Sequence, residues 1–234
     1  MLFMVQWSRL EAFNAVRSLM RHMSAPRIAH EKAMLYCMKY MVSTPNRGLV
    51  LAPDRIWDGS QSFKWQIFGR SDSNYASNTD DRRSISGGRV FVNNAPVMAR
   101  SATQKSVTLS VCEAESAAGV MVAQDMLYTY NVLTSLQLQV ELPMILEMDN
   151  KGAVDLANNW RVGGRTRHVD VRHHFLRDLK DNGILIIRHV SGDDNDADIF
   201  TKNTTGPIFE RHIPMYVGHD EYIKGDAPNL GYLR

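Results

Sequence analysis

Four acidic residues lie next to apolar stretches of the sequence, where burying a lone carboxylate would be costly. Asp72 ends an apolar and aromatic run, and Asp149 closes a second apolar run. Glu115 and Asp198 lie in stretches with helical periodicity. An isolated ionised carboxylate in a protein interior costs several kcal/mol unless it is paired or bound to a metal. The four side chains are therefore candidates for a shared cation site.

Oxygen-rich sites of this kind favour Mg²⁺ or Mn²⁺, which keep bound waters and contact phosphate oxygens. Two such ions roughly 4 Å apart can activate a water and stabilise the leaving 3′-oxygen of a phosphodiester. The acids thus indicate metal-dependent phosphodiester chemistry. On the pattern alone, four ordinary solvated carboxylates remain the alternative.

The elements that would carry these acids follow from hydrophobic periodicity. Two amphipathic helices are expected over residues 8–23 and 27–42, before a short strand at 49–51 and a surface connection at 52–62. Three antiparallel strands follow, the first of them delivering Asp72. The remaining pattern predicts a buried helix over 113–136, strands over 142–149 and 184–187, and helices over 151–158, 170–181 and 196–202. This order predicts an α/β fold with a mixed sheet flanked by helices, preceded by an N-terminal helical segment.

Charge is unevenly distributed along the 234 residues. The first 50 residues hold seven Lys or Arg and two Glu, a net charge of +5, whereas the whole chain carries +2. A basic segment beside an acidic domain suits a polyanion held over an acidic metal site. Solvated helix faces explain the same charges equally well.

The two cysteines, Cys37 and Cys112, have no paired spacing, which predicts free thiols in a reducing compartment. No stretch resembles a signal peptide, and no uncharged apolar run approaches the ~20 residues of a membrane span. The sequence therefore predicts an intracellular protein, cytoplasmic or nuclear, that has no membrane partner.

Six short motifs follow one another along the chain. They are Ser71–Ala76, Asp81–Gly87, Leu109–Glu115, Met148–Asn150, Arg165–Phe175 and Ala197–Lys202. In order and spacing, they resemble the ribonuclease H domain of copia-type retrotransposon Pol polyproteins. The resemblance extends over roughly residues 8–218, and its first part resembles the connection that follows the reverse transcriptase in those polyproteins.

This resemblance implies a ribonuclease H-like fold with a five-stranded mixed sheet. It also implies three regions: a helical connection over 1–60, the ribonuclease H-like domain over 61–204 and a tail over 205–234. Asp72, Glu115, Asp149 and Asp198 would then be the catalytic and metal-binding tetrad. The implied cofactor is Mg²⁺, as two ions, with Mn²⁺ as the substitute. The implied activity is endonucleolytic hydrolysis of the RNA strand of RNA–DNA hybrids.

Glu113 is the rival of Glu115 for the helix position. The second Glu of the family's Glu-Ala-Glu motif matches the helical acid of other ribonucleases H, which favours Glu115, and Glu113 is expected to be a helix N-terminal charge. The residues around this motif depart from the family, because Ser110-Val111-Cys112 precedes it and Ser116 follows it. These are changes in packing that remove no ligand.

Several basic residues are candidates for contact with nucleic-acid phosphates. They are Arg82, Arg83, Arg165, Arg167, His168 and Arg172. An ordinary solvated face is the alternative for the Arg165–Arg177 run. A transition-metal site at His168, His173 and His174 is disfavoured because adjacent histidines on a helix point in different directions. His189 is expected to be a strand-end residue, with no assigned role in product release.

Two further functions remain open. The first is an inactive ribonuclease H-like module that binds nucleic acid or the reverse transcriptase portion of the same polyprotein. The second is an integrase or transposase on the same fold, which the Arg-Thr-Arg-His and Thr201-Lys202 motifs disfavour. No Tyr-x-Asp-Asp motif occurs, so the sequence is interpreted as a C-terminal fragment of a polyprotein. Residues 219–234 have no periodicity and are expected to be irregular.

Overall fold

The computed structural model describes residues 1–159 and 167–217, with side chains for 1–158 and 174–217. The chain divides into two compact units. One contains residues 1–50 and the described residues from Asn203 onward, and the other contains Leu51–Lys202. The domain boundaries expected after residues 60 and 204 stay predictions.

The first unit is helical. Its helices are α1 (Leu2–Trp7), α2 (Phe13–Met20), α3 (Ile28–Ser43) and a later helix at Gly206–His212. In place of the strand expected at 49–51, Leu49 forms a single antiparallel bridge with Val217.

The helix expected over residues 8–23 is shorter in the structure: a 3-10 helix at Leu10–Ala12 leads into α2, which ends at Met20. The separate helix α1 comes before this range, because the chain turns at Arg9. The Arg9 side chain is buried, forms a 2.6 Å ion pair with Glu11 and donates to the backbone oxygens of Met41 and Thr44. A buried arginine needs such partners, and they lie on and just after α3. The turn that brings Arg9 to them separates α1 from α2.

The second unit is built on a mixed five-stranded sheet, as far as the described residues extend. Its strands are β2 (Ile67–Asn74), β3 (Ile85–Val92), β4 (Ala95–Thr103), β6 (Met144–Met148) and β7 (Leu185–His189), in the order β4-β3-β2-β6-β7. The central strand β2 pairs antiparallel with β3 and parallel with β6. Two short strands, β1 (Lys64–Trp65) and β5 (Gln139–Val140), pair in parallel beside it. The ends of β2 and β6 therefore lie together at one edge, where acids that follow them can meet.

Three helices flank the sheet: α4 (Val111–Ser135), α5 (Lys151–Asn159) and α6 (Arg167–Asp181). The core between sheet and helices contains Val122 and Met126 of α4, Leu146 of β6 and Leu176 of α6. This architecture confirms the predicted fold class, an α/β mixed sheet flanked by helices and preceded by an N-terminal helical segment.

The last predicted helix, over 196–202, is instead a 3-10 helix at Asp196–Phe200. Asn195 caps it through its side-chain oxygen and donates from Nδ2 to the backbone oxygen of Ser71 on β2, at 3.1 Å. This bond ties the start of the segment to the central strand, so the segment that carries Asp198 lies against β2.

Among the described residues, no helix is both long enough and apolar enough to cross a membrane. Cys37 and Cys112 are both free thiols.

Candidate metal centre

Asp72 lies near the end of β2 and is 1% exposed. Its Oδ2 accepts a short hydrogen bond from the Thr201 hydroxyl, and its Oδ1 lies 3.5 Å from Nζ of Lys202. Both partners come from the chain that follows the 3-10 helix. The central strand and this segment therefore fix the Asp72 carboxylate from two sides.

Gly87 explains how the segment can approach so closely. Gly87 is opposite Asp72 in the β2–β3 pairing. A Cβ at this position would lie 2.4 Å from Cγ2 of Thr201 and 2.8 Å from Cβ of Phe200, distances that side chains essentially never show. Only glycine leaves room for Thr201 to reach Asp72.

Glu115 and Glu113 occupy different environments on α4. The helix begins at Val111, so Glu113 is in its first turn and Glu115 lies just beyond it. Glu113 stabilises the start of the helix, because its carboxylate accepts a hydrogen bond from the Leu109 amide at 2.8 Å. Glu115 is 3% exposed, and its Oε1 accepts from the amide and hydroxyl of Ser73, at 3.2 and 2.8 Å.

Asp149 directly follows β6 and is partly exposed. Its backbone oxygen lies 3.0 Å from Nε2 of His189, the last residue of β7. The expectation that His189 is a strand-end residue is confirmed by its position. The contact holds the ends of β6 and β7 together beside the Asp149 carboxylate.

The structure brings three of the four predicted acids into one group. One ligand oxygen from each of Asp72, Glu115 and Asp149 lies within 4.8 Å of the other two. Among the described residues, the buried Oε2 of Glu115 has no hydrogen-bond partner. Carboxylates this close repel one another, and a buried oxygen without a donor is costly. A hard divalent cation would satisfy both, so the residues fit such an ion.

Asp198 is outside this group of three. It lies on the 3-10 helix, and its Oδ1 is 2.8 Å from Nζ of Lys202. The same Nζ contacts Asp72, so an ammonium group stands between the Asp72 and Asp198 carboxylates. Lys202 therefore occupies the place where a second cation shared by these two acids would bind.

The electrostatics of the group follow from this crowding. The pKa of Asp72 is raised to about 7, mainly by burial and secondly by the charge of Asp198. The pKa of Glu115 is raised to about 9, mainly by burial and secondly by the charges of Asp72 and Asp149. Burial lowers the pKa of Lys202, but the carboxylates of Asp72 and Asp198 outweigh it and the net shift is upward. Without a cation, the site resists full ionisation.

Sequence reasoning assigned no role to Lys202, Thr201 or Ser73, although each contacts a site acid. The spacing of Asp198 and Lys202, four residues apart, is a typical signal for an ion pair on a helix and could have identified Lys202. No local pattern marks Ser73 or Thr201, because each meets its acid through the tertiary fold.

The arginines proposed to contact nucleic acid are only partly described. Arg82 and Arg83 lie exposed in the loop after β2, the strand that carries Asp72. Arg165 lies outside the described residues. For Arg167, His168 and Arg172 the structure gives the helical backbone of α6 and no side chains, so their role stays a prediction.

Comparison with known proteins finds relatives among transposon polyproteins. The chain is 28% identical over 204 residues to the retrovirus-related Pol polyprotein from transposon RE2 of Arabidopsis thaliana. It is also 28% identical over 203 residues to that from transposon TNT 1-94 of Nicotiana tabacum. These matches cover 87% of this chain, but the chain spans only 14% of the length of either relative. The predicted resemblance to Pol polyproteins is confirmed.

Among solved structures, the chain is similar to LC11-RNase H1, an enzyme isolated from compost by a metagenomic approach. The TM-score is 0.45 and the sequence identity 16%, over 58% of this chain and 92% of that chain. No protein-family model matches the chain.

Proposed function

We propose that this chain hydrolyses the RNA strand of RNA–DNA hybrids endonucleolytically, with divalent cations held by Asp72, Glu115, Asp149 and Asp198. The observation that carries the proposal is the convergence of three carboxylates from β2, α4 and the end of β6 on one point. The transposon Pol relatives support it, because they are similar to this chain over 87% of its length.

The cations would be Mg²⁺ or Mn²⁺, since the donor set consists of carboxylate oxygens. Bound there, such ions supply Lewis-acid activation of a water and stabilisation of the leaving oxygen. Asp72, Glu115 and Asp149 would hold the first ion, and the Oε2 of Glu115 would gain a partner. Asp72 and Asp198 would share the second, which would take the position that the Lys202 ammonium has in this structure. Ser73 and Thr201 orient two of these carboxylates by donating to Glu115 and Asp72.

Substrate would be held by cationic side chains around this edge. Arg82 and Arg83 follow the strand that carries Asp72, which suits contact with backbone phosphates. Arg165, Arg167, His168 and Arg172 are further candidates. Hybrids would be chosen by 2′-hydroxyl contacts and backbone shape, not by base sequence. A further partner would be the reverse transcriptase portion of the same polyprotein.

The substrate class is tested by incubating the purified chain with labelled RNA–DNA hybrid, duplex DNA or single-stranded RNA, each in the presence of Mg²⁺. We expect cuts only in the RNA strand of the hybrid. Cleavage of duplex DNA with the hybrid intact would instead favour an integrase or transposase. Binding of hybrid without cleavage would favour an inactive binding module.

Lys202 provides a prediction about the second ion. Lys202→Met removes a positive charge that contacts both Asp72 and Asp198, so we expect divalent-cation affinity to rise about tenfold, allowing for the partial exposure of the ammonium. Titration calorimetry with Mn²⁺ measures this change. Lys105→Met is the matched control, because Lys105 is exposed and its substitution should leave the affinity unchanged. A weaker affinity in Lys202→Met would contradict the assignment of Lys202 to the cation position.

A further inference from the structure

Two arginines lie directly opposite one another on the sheet, where like charges destabilise a strand pair. Arg70 of β2 pairs with Arg89 of β3. Arg89 is only 1% exposed, and its guanidinium stacks 3.7 Å from the ring centre of Phe91. A buried guanidinium is expensive unless an anion accompanies it.

That anion is Asp196, which is also 1% exposed. Its Oδ2 forms a short ion pair with Nη2 of Arg89, and its Oδ1 lies 3.3 Å from Nη1 of Arg70. One carboxylate therefore bridges both guanidinium groups. We call this arrangement of Arg70, Arg89 and Asp196 the arginine clamp.

The clamp is connected to two of the elements that carry the proposed metal ligands, β6 and the 3-10 helix. Arg70 donates from Nε to Glu147 of β6 at 2.7 Å, two residues before Asp149. Asp196 begins the 3-10 helix, two residues before Asp198. The clamp thus joins β2 and β3 to the segment that presents Asp198 and, beyond it, Lys202.

We infer that Asp196 is a positioning residue: through the arginine clamp it fixes the segment that places Asp198 beside Asp72. This inference rests on the proposed function, because the positioned carboxylate is one of the proposed metal ligands. Asp196 itself contacts arginines of the sheet, so its effect would pass through the geometry of the segment.

The test compares three variants with the wild-type chain at a temperature where circular dichroism shows each to be folded. Asp196→Asn breaks the clamp, and we expect its Tm to fall by about 10 °C. Its kcat on RNA–DNA hybrid should fall at least about tenfold, as for residues that orient metal ligands, with KM within about twofold of wild type. Its Mn²⁺ affinity, measured by calorimetry, should fall as well.

The double variant Arg89→Met/Asp196→Leu separates positioning from stability. Apolar side chains often replace a buried ion pair without loss of stability, so its Tm should recover toward wild type. Because leucine cannot bridge to Arg70, kcat and Mn²⁺ affinity should remain low. Asp193→Asn is the matched control, an exposed acid near Asp196 whose loss should change none of these quantities.

Recovery of kcat and Mn²⁺ affinity together with Tm in the double variant would overturn the inference, since the clamp would then act through stability alone. Unchanged kcat and Mn²⁺ affinity in folded Asp196→Asn would overturn it too. The Mn²⁺ measurement separates this outcome from failure of the proposed function. If the wild type binds Mn²⁺ but cuts no hybrid, the nuclease assignment fails while the affinities still decide the role of Asp196.

Discussion

Replacing Glu115 by glutamine is expected to abolish hydrolysis and, at the same time, to make the metal-free protein more stable. The activity should fall by more than about 100-fold, because even residues that only orient metal ligands contribute about 10- to 100-fold. Loss of activity with gain of stability is the combination expected of a residue kept for function at a cost in stability.

The stability gain has a physical cause in the surroundings of Glu115. Its pKa is raised to about 9 by burial and by Asp72 and Asp149, so at neutral pH folding of the metal-free chain must either take up a proton at Glu115 or bury its charge, and both cost free energy. The glutamine oxygen can still accept from Ser73, while its amide group can donate to a neighbouring carboxylate in place of the unpartnered Oε2. We therefore expect a higher Tm for Glu115→Gln in chelator at about pH 8.

Glu113→Gln is the matched control for this prediction. It makes the same chemical change two residues earlier on the same helix, where the side chain serves the helix N-terminus. A glutamine can keep that contact, so activity and Tm should stay close to wild type. If Glu113→Gln removed activity and Glu115→Gln retained it, the choice between the two acids would be wrong.

The second large effect is expected in the pH dependence of stability without metal. Folding raises the pKa of Asp72 to about 7 and that of Glu115 to about 9, above ordinary values near 4. Between the unfolded and folded pKa values the native state binds more protons than the unfolded state, so stability falls as pH rises. In chelator, the free energy of unfolding should be highest near about pH 4 to 5 and fall by several kcal/mol toward about pH 9.

Divalent cation should reverse this trend. An ion bound by Asp72, Glu115 and Asp149 favours their ionised forms, so excess Mg²⁺ should raise Tm much more at about pH 8 than at about pH 5. Thermal melts in chelator and in Mg²⁺ across this range measure the effect. Asp125, outside the site, also has a pKa raised by burial, to about 6, and its contribution should persist with Mg²⁺. Equal pH profiles with and without Mg²⁺ would contradict a cation site at these acids.

Much of the fold could be predicted from the sequence because its elements have strong local patterns. The apolar circumference of α4 and the apolar strands β6 and β7 set the order of a mixed sheet, and acids at strand ends meet at one edge. The same reasoning selected Asp72, Glu115, Asp149 and Asp198, and the structure brings the first three together. Their roles as metal ligands stay predictions.

What could not be predicted depends on contacts between distant parts of the chain. The turn at Arg9 follows from partners at Met41 and Thr44, more than 30 positions away. In the sequence, Asp196 is one of several acids in a short acidic stretch. Only the folded sheet brings Arg70 and Arg89 beside it. Such side-chain networks leave no periodic signal, since their members share no local element.

The most direct test of the proposed function is cleavage of a labelled RNA–DNA hybrid by the purified chain, with Mg²⁺, with Mn²⁺ and with chelator, beside the Asp149→Asn variant. The proposal predicts cuts in the RNA strand that require the metal and disappear in Asp149→Asn. Hybrid that is bound but uncut under every metal, or cut equally well by Asp149→Asn, would contradict it.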